Sequence, residues 1–356
     1  MPALDSCGGI PPREERLTDP TERRCAGVEN TWSVVLAGGE GNRIRPAILN
    51  WLGEDRPKQY CTFVGTRSLL EHTLSRSGKI VPERRTLVVV DRSHERFAAP
   101  QLDNLPEVGR IVQPRNCDTA PGIFLPLTYV RKRDPLATVI FYPSDHFVYP
   151  EEGFVTAVHD AVREASCLSD FIILLGIEPD CLELDYGWIQ PGPPIRKGSG
   201  LARSVRAFVE KPEYLDIRKA VVSGALWNTF VMVAGADCLW SLGWRFFPEM
   251  MRLFETLDLA IGSERETEVL DNIYSVMPSF NFSTALLQRV PERVGVLELR
   301  DVLWSDWGRP ERVVTSLRKI DKQPSFRLRV ARPADLRTEA PSASPLAVGE
   351  TGGRRR

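Results

Sequence analysis

The sequence has little of what builds metal centres or disulfide frameworks. Its four histidines (His72, His94, His146, His159) show no H-E-x-x-H spacing and have no cysteine companions, which argues against a histidine-based metal site. Seven cysteines (Cys7, Cys25, Cys61, Cys117, Cys167, Cys181, Cys238) are scattered without one C-x-x-C pair. An odd, unpatterned set points to reduced thiols and a cytoplasmic location. No apolar run approaches the ~20 residues a membrane span needs. The N-terminus is polar and proline-rich, without the apolar core of a signal peptide. A formal net charge of -1 gives no global reason to bind nucleic acid or an anionic membrane, so any basic site is local. There is no G-x-S-x-G elbow, no Walker G-x-x-x-x-G-K-[ST] loop and no internal repeat.

What remains is a long globular chain: 356 residues, 42% hydrophobic and 26% charged, enough for one large or two modest domains. Residues 1 to about 30 carry Pro11-Pro12, many charges and no periodicity, and are expected to be disordered. So are residues 331–356, rich in Pro, Ala, Ser and Gly and ending in three arginines. Between these tails, apolar β-rich runs alternate with helical patterns. Strands are predicted at Trp32–Ala37, Thr86–Val90, Arg110–Gln113, Thr138–Tyr142 and Phe171–Leu175, with helices at Ser68–Gly78, Pro121–Arg133 and Glu151–Ser166. Several strands are apolar throughout, as in a parallel sheet covered on both faces. The alternation predicts an α/β, doubly wound, mostly parallel sheet, with ligands at the carboxyl ends of its strands. After Asp185 the pattern mixes short strands (Ser204–Glu210, Leu226–Val233, Val294–Leu299) with helices around Arg245–Leu259 and Glu264–Ile273. Residues 31–330 are thus expected to form one catalytic unit. A nucleotide half covers about 31–185, and a mixed sheet extension for the substrate covers about 186–330.

Residues 36 to 46, Leu-Ala-Gly-Gly-Glu-Gly-Asn-Arg-Ile-Arg-Pro, follow the first strand directly. Three glycines in four positions let the backbone bend sharply and approach a ligand closely. Successive N–H groups in such a turn make a concavity for anions, and Arg43 and Arg45 add charge beside it. This is no dinucleotide fingerprint, because Asn42-Arg43-Ile44 stands where the third glycine should be. The segment reads either as a phosphate loop or as a plain glycine-rich turn. Asp145, in Tyr142-Pro143-Ser144-Asp145-His146, ends the apolar run Thr138–Phe141. There it can hold a hard cation such as Mg²⁺ over bound phosphates, or serve as a turn or cap aspartate. Asp306 in Trp304-Ser305-Asp306-Trp307-Gly308 is a second candidate, and Lys58 in Arg56-Pro57-Lys58-Gln59 can place a charge on a phosphate or cap a helix. Glu210-Lys211 offers an acceptor and a cation side by side, while Asn228 lies in a buried-looking run where its amide needs partners, from ligand hydroxyls or backbone.

LAGGEGNRIRP with downstream RPKQY, then QPRNCDTAPGI (Gln113–Ile123), YPSDH, YGWIQ, FVEKP, WNTFVMV and WSDWG follow in an order that resembles the sugar-1-phosphate nucleotidyltransferases. The resemblance is strongest to the mannose-1-phosphate guanylyltransferases and covers roughly Trp32 to Leu317. It implies a Rossmann-like fold shared with A-type glycosyltransferases. It also implies transfer of a nucleotidyl group, GTP first, to a sugar 1-phosphate, mannose first, with release of pyrophosphate. On this resemblance Leu36, Ala37, Gly38, Gly39, Gly41, Asn42 and Arg43 bind the triphosphate, with Lys58 near the reacting phosphates. Asp118, Thr119 and Ala120 lie by the base. Asp145 and Asp306 hold Mg²⁺ or Mn²⁺. Gly187, Glu210 and Asn228 meet the sugar hydroxyls, and Lys211 the sugar phosphate. Arg43, Lys58 and Asp145 carry the catalysis. A homodimer is the assembly to test.

Three departures stand out. Asn42 replaces the usual Thr, Asp118 stands where the guanylyltransferases carry Asn, and Cys117 replaces a common basic residue. The last two fall in the base-reading loop and bear on GTP against a pyrimidine triphosphate. With no room after the tail for the isomerase domain of bifunctional relatives, the chain is expected to be a transferase only. The competing expectations are a glycosyltransferase of related fold, which should show a D-x-D-like motif where Asp145 is followed by His146-Phe147, and a silent nucleotide-sensing subunit.

Overall fold

The structure, a computed structural model, describes residues 28–195, 200–213 and 221–325. Residues 1–27 and 326–356, which hold nearly all of both expected tails, lie outside the described residues. The strands are β1 (Thr31–Ala37), β2 (Thr86–Asp91), β3 (Gly109–Gln113), β4 (Thr138–Pro143), β5 (Phe147–Tyr149), β6 (Ile172–Ile177), β7 (Gly187–Pro194), β8 (Arg203–Glu210), β9 (Leu226–Gly235), β10 (Val294–Leu299) and β11 (Leu303–Ser305). The first helices are α1 (Arg45–Leu52), α2 (Leu69–Gly78), α3 (Glu95–Leu102), α4 (Thr119–Arg133) and α5 (Glu151–Cys167). The later ones are α6 (Ala236–Phe246), α7 (Pro248–Ala260), α8 (Glu266–Ser275), α9 (Phe282–Ala285) and α10 (Pro310–Arg318).

Nine strands form one sheet in the order β3-β2-β1-β4-β9-β6-β10-β8-β7. The β3-β2-β1-β4 part is parallel throughout. Its strands are apolar on both faces, and successive residues enter opposite cores. Val34, Val89 and Phe141 pack on one side with α4, α6 and α7, while Val35, Val88 and Tyr142 pack on the other with α2, α3 and α5. This half is doubly wound, as expected. The other half departs from a mostly parallel sheet. β9 runs antiparallel to both β4 and β6, β8 is antiparallel to β10 and β7, and only β6 and β10 are parallel. Because β7 also pairs with β9, these five strands close into a ring. The connections explain the difference. Parallel pairs need a long crossover, whereas the eight-residue link from β7 to β8 allows an antiparallel return.

The expected helix at Arg245–Leu259 is two helices, broken at Phe247, where Pro248 opens α7. The aromatic run Leu239–Phe247 serves helix packing, with Leu239, Leu242 and Phe247 in the core. A third, smaller core gathers α1, α10 and the two-stranded ribbon β5–β11 around Ile44, Ile48, Phe63, Phe147 and Trp307. That ribbon brings Asp145 and Asp306, 161 positions apart, to one place: each lies just outside its strand.

Candidate active site

The loop after β1 is held from below by the segment that follows α1. Gln59 Nε2 donates to the Ala37 carbonyl at 2.8 Å and to the Gly39 carbonyl at 2.9 Å, and the Tyr60 hydroxyl donates to Ala37 at 2.9 Å. On the far side Ser144 N–H donates to the Leu36 carbonyl at 3.1 Å, tying β4 to the same strand end. The carbonyls of Leu36, Ala37 and Gly39 are therefore occupied. Gly41 sits at φ +63, and a Cβ there would meet the Lys58 Cβ at 3.2 Å, so both conformation and space call for glycine. The Gly41 carbonyl accepts from Ile44 and Arg45 at 3.2 Å each and starts α1. Asn42 faces Arg45, whose Nη1 lies 3.4 Å from its Oδ1.

Beside this loop lies a closed set of charges. Lys58 is 4% exposed, and its Nζ is 2.9 Å from Asp145 Oδ2 and donates to the Asp306 backbone carbonyl. Arg43 forks, Nη2 to Asp306 Oδ2 at 2.6 Å and Nη1 to Asp185 Oδ2 at 3.0 Å. The Tyr186 hydroxyl and the Gly308 N–H, at 2.9 Å, both donate to Asp306 Oδ1. Burial alone would raise the Asp306 carboxyl. Lys58, the two donors and Arg43 outweigh it and hold the group at about 2. Asp145 is likewise held below its ordinary value, burial being outweighed by Lys58 and then His146. Burial pushes His146 down to about 4 against the pull of Asp145, so the imidazole is neutral at pH 7. Its Nε2 lies 3.6 Å from Asp145 Oδ1, and its Nδ1 accepts from Trp304 Nε1 at 3.3 Å. A Cβ on Gly308 would stand 2.6 Å from Asp306 Oδ2 and 2.7 Å from Arg43 Nη2, so a side chain here would displace the Arg43–Asp306 pair.

The loop before β7 reinforces the corner. Asp185 also accepts from Arg309, and Glu183 takes Arg312 Nη2 at 2.6 Å. The Arg312 guanidinium lies 4.8 Å over the Tyr186 ring and 5.3 Å over Trp227.

The other expected cluster forms at the ends of β7, β8 and β9. Gly187 is paired with Glu210 in the β7–β8 register. A Cβ on Gly187 would approach Glu210 Oε2 at 2.8 Å, the Phe208 ring at 2.9 Å and Asn228 Cβ at 3.4 Å. Gly187, Glu210 and Asn228 thus meet. Asn228 Oδ1 accepts from Phe230 N–H at 3.0 Å, so backbone supplies one of its partners. Burial raises the Glu210 carboxyl, with Lys211 and Ser283 pulling it back and Asp118 adding to the rise. Lys211 is exposed and its backbone N–H donates to Tyr186 O at 3.1 Å.

Asp118 caps α4. Its Oδ1 accepts from Thr119 N–H at 2.6 Å and from Asn281 Nδ2 at 3.2 Å, while Oδ2 has no partner among the described residues. Thr119 Oγ1 accepts from Phe282 N–H at 2.8 Å, and Ala120 N–H donates to Phe280 O at 2.9 Å, so this loop is anchored to the segment before α9. The neighbouring Cys117 is fully buried, and burial raises its thiol.

Asp118, Lys211, Phe230 and Trp307 all carry positive φ without being glycine, at 69, 46, 58 and 46 degrees. Each is an expected site residue or stands within two positions of one, whereas Asp301 and Asp321, at 55 and 53 degrees, lie away from the expected site residues.

A sequence model of the family described as nucleotidyl transferase matches residues 32–322. The chain belongs to that family. Among curated relatives of this nucleotidyl transferase, the xanthan biosynthesis protein XanB of Xanthomonas campestris pv. campestris is 28% identical over 288 residues, covering 77% of this chain and 57% of XanB. A mannose-1-phosphate guanylyltransferase of Klebsiella pneumoniae is also 28% identical, over 284 residues, with the same coverage. The chain therefore spans little more than half the length of these relatives. A solved structure from Thermus thermophilus, described as a mannose-1-phosphate geranyltransferase, superposes with a TM-score of 0.69 at 26% identity over 83% of this chain and 80% of that one. No helix among the described residues is long and apolar enough to cross a membrane.

Sequence reasoning missed Tyr186, Asp185, Gly308 and the pair Gln59–Tyr60. The last two sit inside the RPKQY motif, and Tyr186 opens YGWIQ, so motif membership was the available signal. Nothing local marks Asp185, whose partners Arg43 and Arg309 lie more than 120 positions away.

Proposed function

We propose that this chain transfers the nucleotidyl group of a nucleoside triphosphate, GTP first, to a sugar 1-phosphate, mannose 1-phosphate first, releasing pyrophosphate. The observation that carries the reading is Lys58 Nζ, buried against the glycine loop between the Asp145 carboxylate and Asp306. Two carboxylates and a buried ammonium beside a loop of backbone donors suit a polyphosphate and its cation. The names of the curated relatives support guanine and mannose.

In the reaction an oxygen of the sugar phosphate attacks the α-phosphorus, and the bond to the β-phosphate breaks as pyrophosphate leaves. No protein nucleophile is needed, so positioning and charge neutralisation carry the acceleration. The loop N–H groups of Gly38 to Gly41 cradle the phosphates. Arg43, half-exposed but paired with Asp185 and Asp306, exchanges those partners for the leaving pyrophosphate, and Lys58 faces the reacting phosphates. Gly187, Glu210 and Asn228 receive the sugar, with Lys211 at its phosphate.

Asp145 and Asp306 fit Mg²⁺ or Mn²⁺. They are hard oxygen donors close enough for the Asp306 charge to act on the Asp145 carboxyl, and Lys58 stands against both segments. Such an ion would neutralise phosphate charge. At the base, Asp118 Oδ2 is free to accept from the N1–H and N2 amino group of guanine, whereas the unprotonated N1 of adenine would repel it.

Pyrophosphate release with ATP, GTP, CTP, UTP and dTTP against mannose and glucose 1-phosphates tests this. GTP with mannose 1-phosphate should give the highest kcat/KM, and EDTA should abolish turnover. A GTP-to-UTP ratio near or below one removes the guanylyl assignment; silence with every pair removes the transfer.

A further inference from the structure

Between the loop that carries Asp118 and the cluster around Glu210 stands a segment that none of the motifs contains: Phe280 to Ser283, which leads into α9. It is tied to the loop at three successive residues. Phe280 O accepts from Ala120 N–H at 2.9 Å, Asn281 Nδ2 donates to Asp118 Oδ1 at 3.2 Å, and Phe282 N–H donates to Thr119 Oγ1 at 2.8 Å. On the other side the buried Ser283 hydrogen-bonds through its hydroxyl to the Glu210 carboxyl. The helix packs against both α4, which starts at the loop, and β8, which ends at Glu210. The span is short enough for the Asp118 charge to act on the Glu210 carboxyl.

Asn281 is fixed in the direction it points. Its Oδ1 accepts from Thr284 N–H at 3.0 Å as the cap of α9, so the amide nitrogen is the end turned to Asp118. Next to it Phe282 is fully buried, with its ring centroid 6.3 Å from that of Phe124, which pins the segment to α4. Asp118 has the opposite character: it is exposed and carries φ +69. With the Thr119 N–H alone on Oδ1, its carboxylate could turn; the Asn281 amide holds the same oxygen from a second direction and leaves Oδ2 to a ligand. An acceptor already held in one orientation loses less freedom when it binds.

Resting on the base and sugar assignments proposed above, we infer that Asn281 and Ser283 are positioning residues on a single brace: Asn281 aims Asp118 at the base, and Ser283 aims Glu210 at the sugar. Neither side chain is assigned a contact with substrate. Both selectivities are then set from one four-residue stretch that touches the two halves of the site at once.

Asn281→Asp is the variant that separates aiming from folding. Its carboxylate still accepts from Thr284 N–H and keeps the cap, but turns an acceptor instead of a donor towards Asp118. Calorimetric titration of the full chain with Mg²⁺ should show the GTP Kd raised about tenfold, while the Kd of inorganic triphosphate, which carries no base, changes less than about twofold. Ser283→Ala should raise KM for mannose 1-phosphate about threefold to tenfold and leave KM for GTP unchanged. Weakening of GTP and inorganic triphosphate alike would mean a general disturbance of the loop and overturns the brace, as does a Ser283→Ala variant with an unchanged sugar constant. Should Asn281→Asp not fold, Asn281→Ser also caps the helix and is too short to reach Asp118. Asp118→Ala separates the two failures. If GTP does not bind, or its Kd ignores Asp118→Ala, the base assignment fails and takes the brace with it. A loss with Asp118→Ala and none with Asn281→Asp sinks the brace alone.

Discussion

The two ends of the candidate site are built from different physics. At the phosphate end, the charged side chains of the corner meet opposite charges from distant parts of the chain: Lys58 with Asp145, Arg43 with Asp185 and Asp306, Arg309 with Asp185. At the sugar end, Gly187, Glu210 and Asn228 crowd together so closely that one methyl group on Gly187 would push its neighbours aside. The first end works by compensated charge, which substrate phosphates and a cation can re-partition. The second works by shape, set by the register of three neighbouring strands. Substitutions should therefore fail differently at the two ends.

The largest effect is expected at the phosphate end. Asp145→Asn and Asp306→Asn should each cost about 2–4 kcal/mol of transition-state stabilisation, a fall in kcat of roughly one and a half to three orders of magnitude. Pyrophosphate release measures it, with circular dichroism to check the fold. Normal turnover in either variant would take that residue out of the charged corner's role. A smaller, differently shaped loss should follow Gly187→Ala. Its methyl group would press on Glu210 and Phe208, raising KM for the sugar phosphate by about 1–3 kcal/mol while KM for the triphosphate holds. Equal changes in both constants would erase the contrast between the ends.

How far the sequence foretells this site depends on distance along the chain. The first strand, the glycine loop and Lys58 fall within 28 consecutive residues, and their pattern is local: an apolar strand, turn residues, a cation. The meeting of Asp145 with Asp306 is not local. It depends on β5 and β11, three residues each, too short for periodicity to reveal. β7 is hidden for another reason: Pro191, Pro193, Pro194 and two glycines break any strand pattern, and the strand shifts register at Gln190 and Pro191. The cap at Asp118 could have been read from Asp-Thr-Ala-Pro before an apolar run, whereas its contact with Asn281 could not.

The last expected effect falls on stability rather than turnover, lies outside both ends and serves as their control. The His72 side chain, then Lys79 and Arg76, hold Glu151 at about 2 against an ordinary 4.5, despite partial burial. A depressed carboxyl stabilises the fold above its unfolded value and loses that contribution as pH falls from about 4.5 towards 2. Glu151→Gln should thus lower stability by about 1–3 kcal/mol at pH 7 and flatten the acid limb of a urea-midpoint profile. An unchanged limb would mean that the basic residues around Glu151 do not hold its charge.

The place of β9 has a consequence for how the molecule comes to exist. A ribosome delivers β4 and β6 long before Leu226–Gly235, the strand that separates and joins them. Until then Ile140 and Phe141 lie along an open edge, the kind that recruits other chains. The halves that divide the labour of the site are inseparable in manufacture, so a fragment cut near residue 185 would keep the glycine loop and lose the strand that covers its edge.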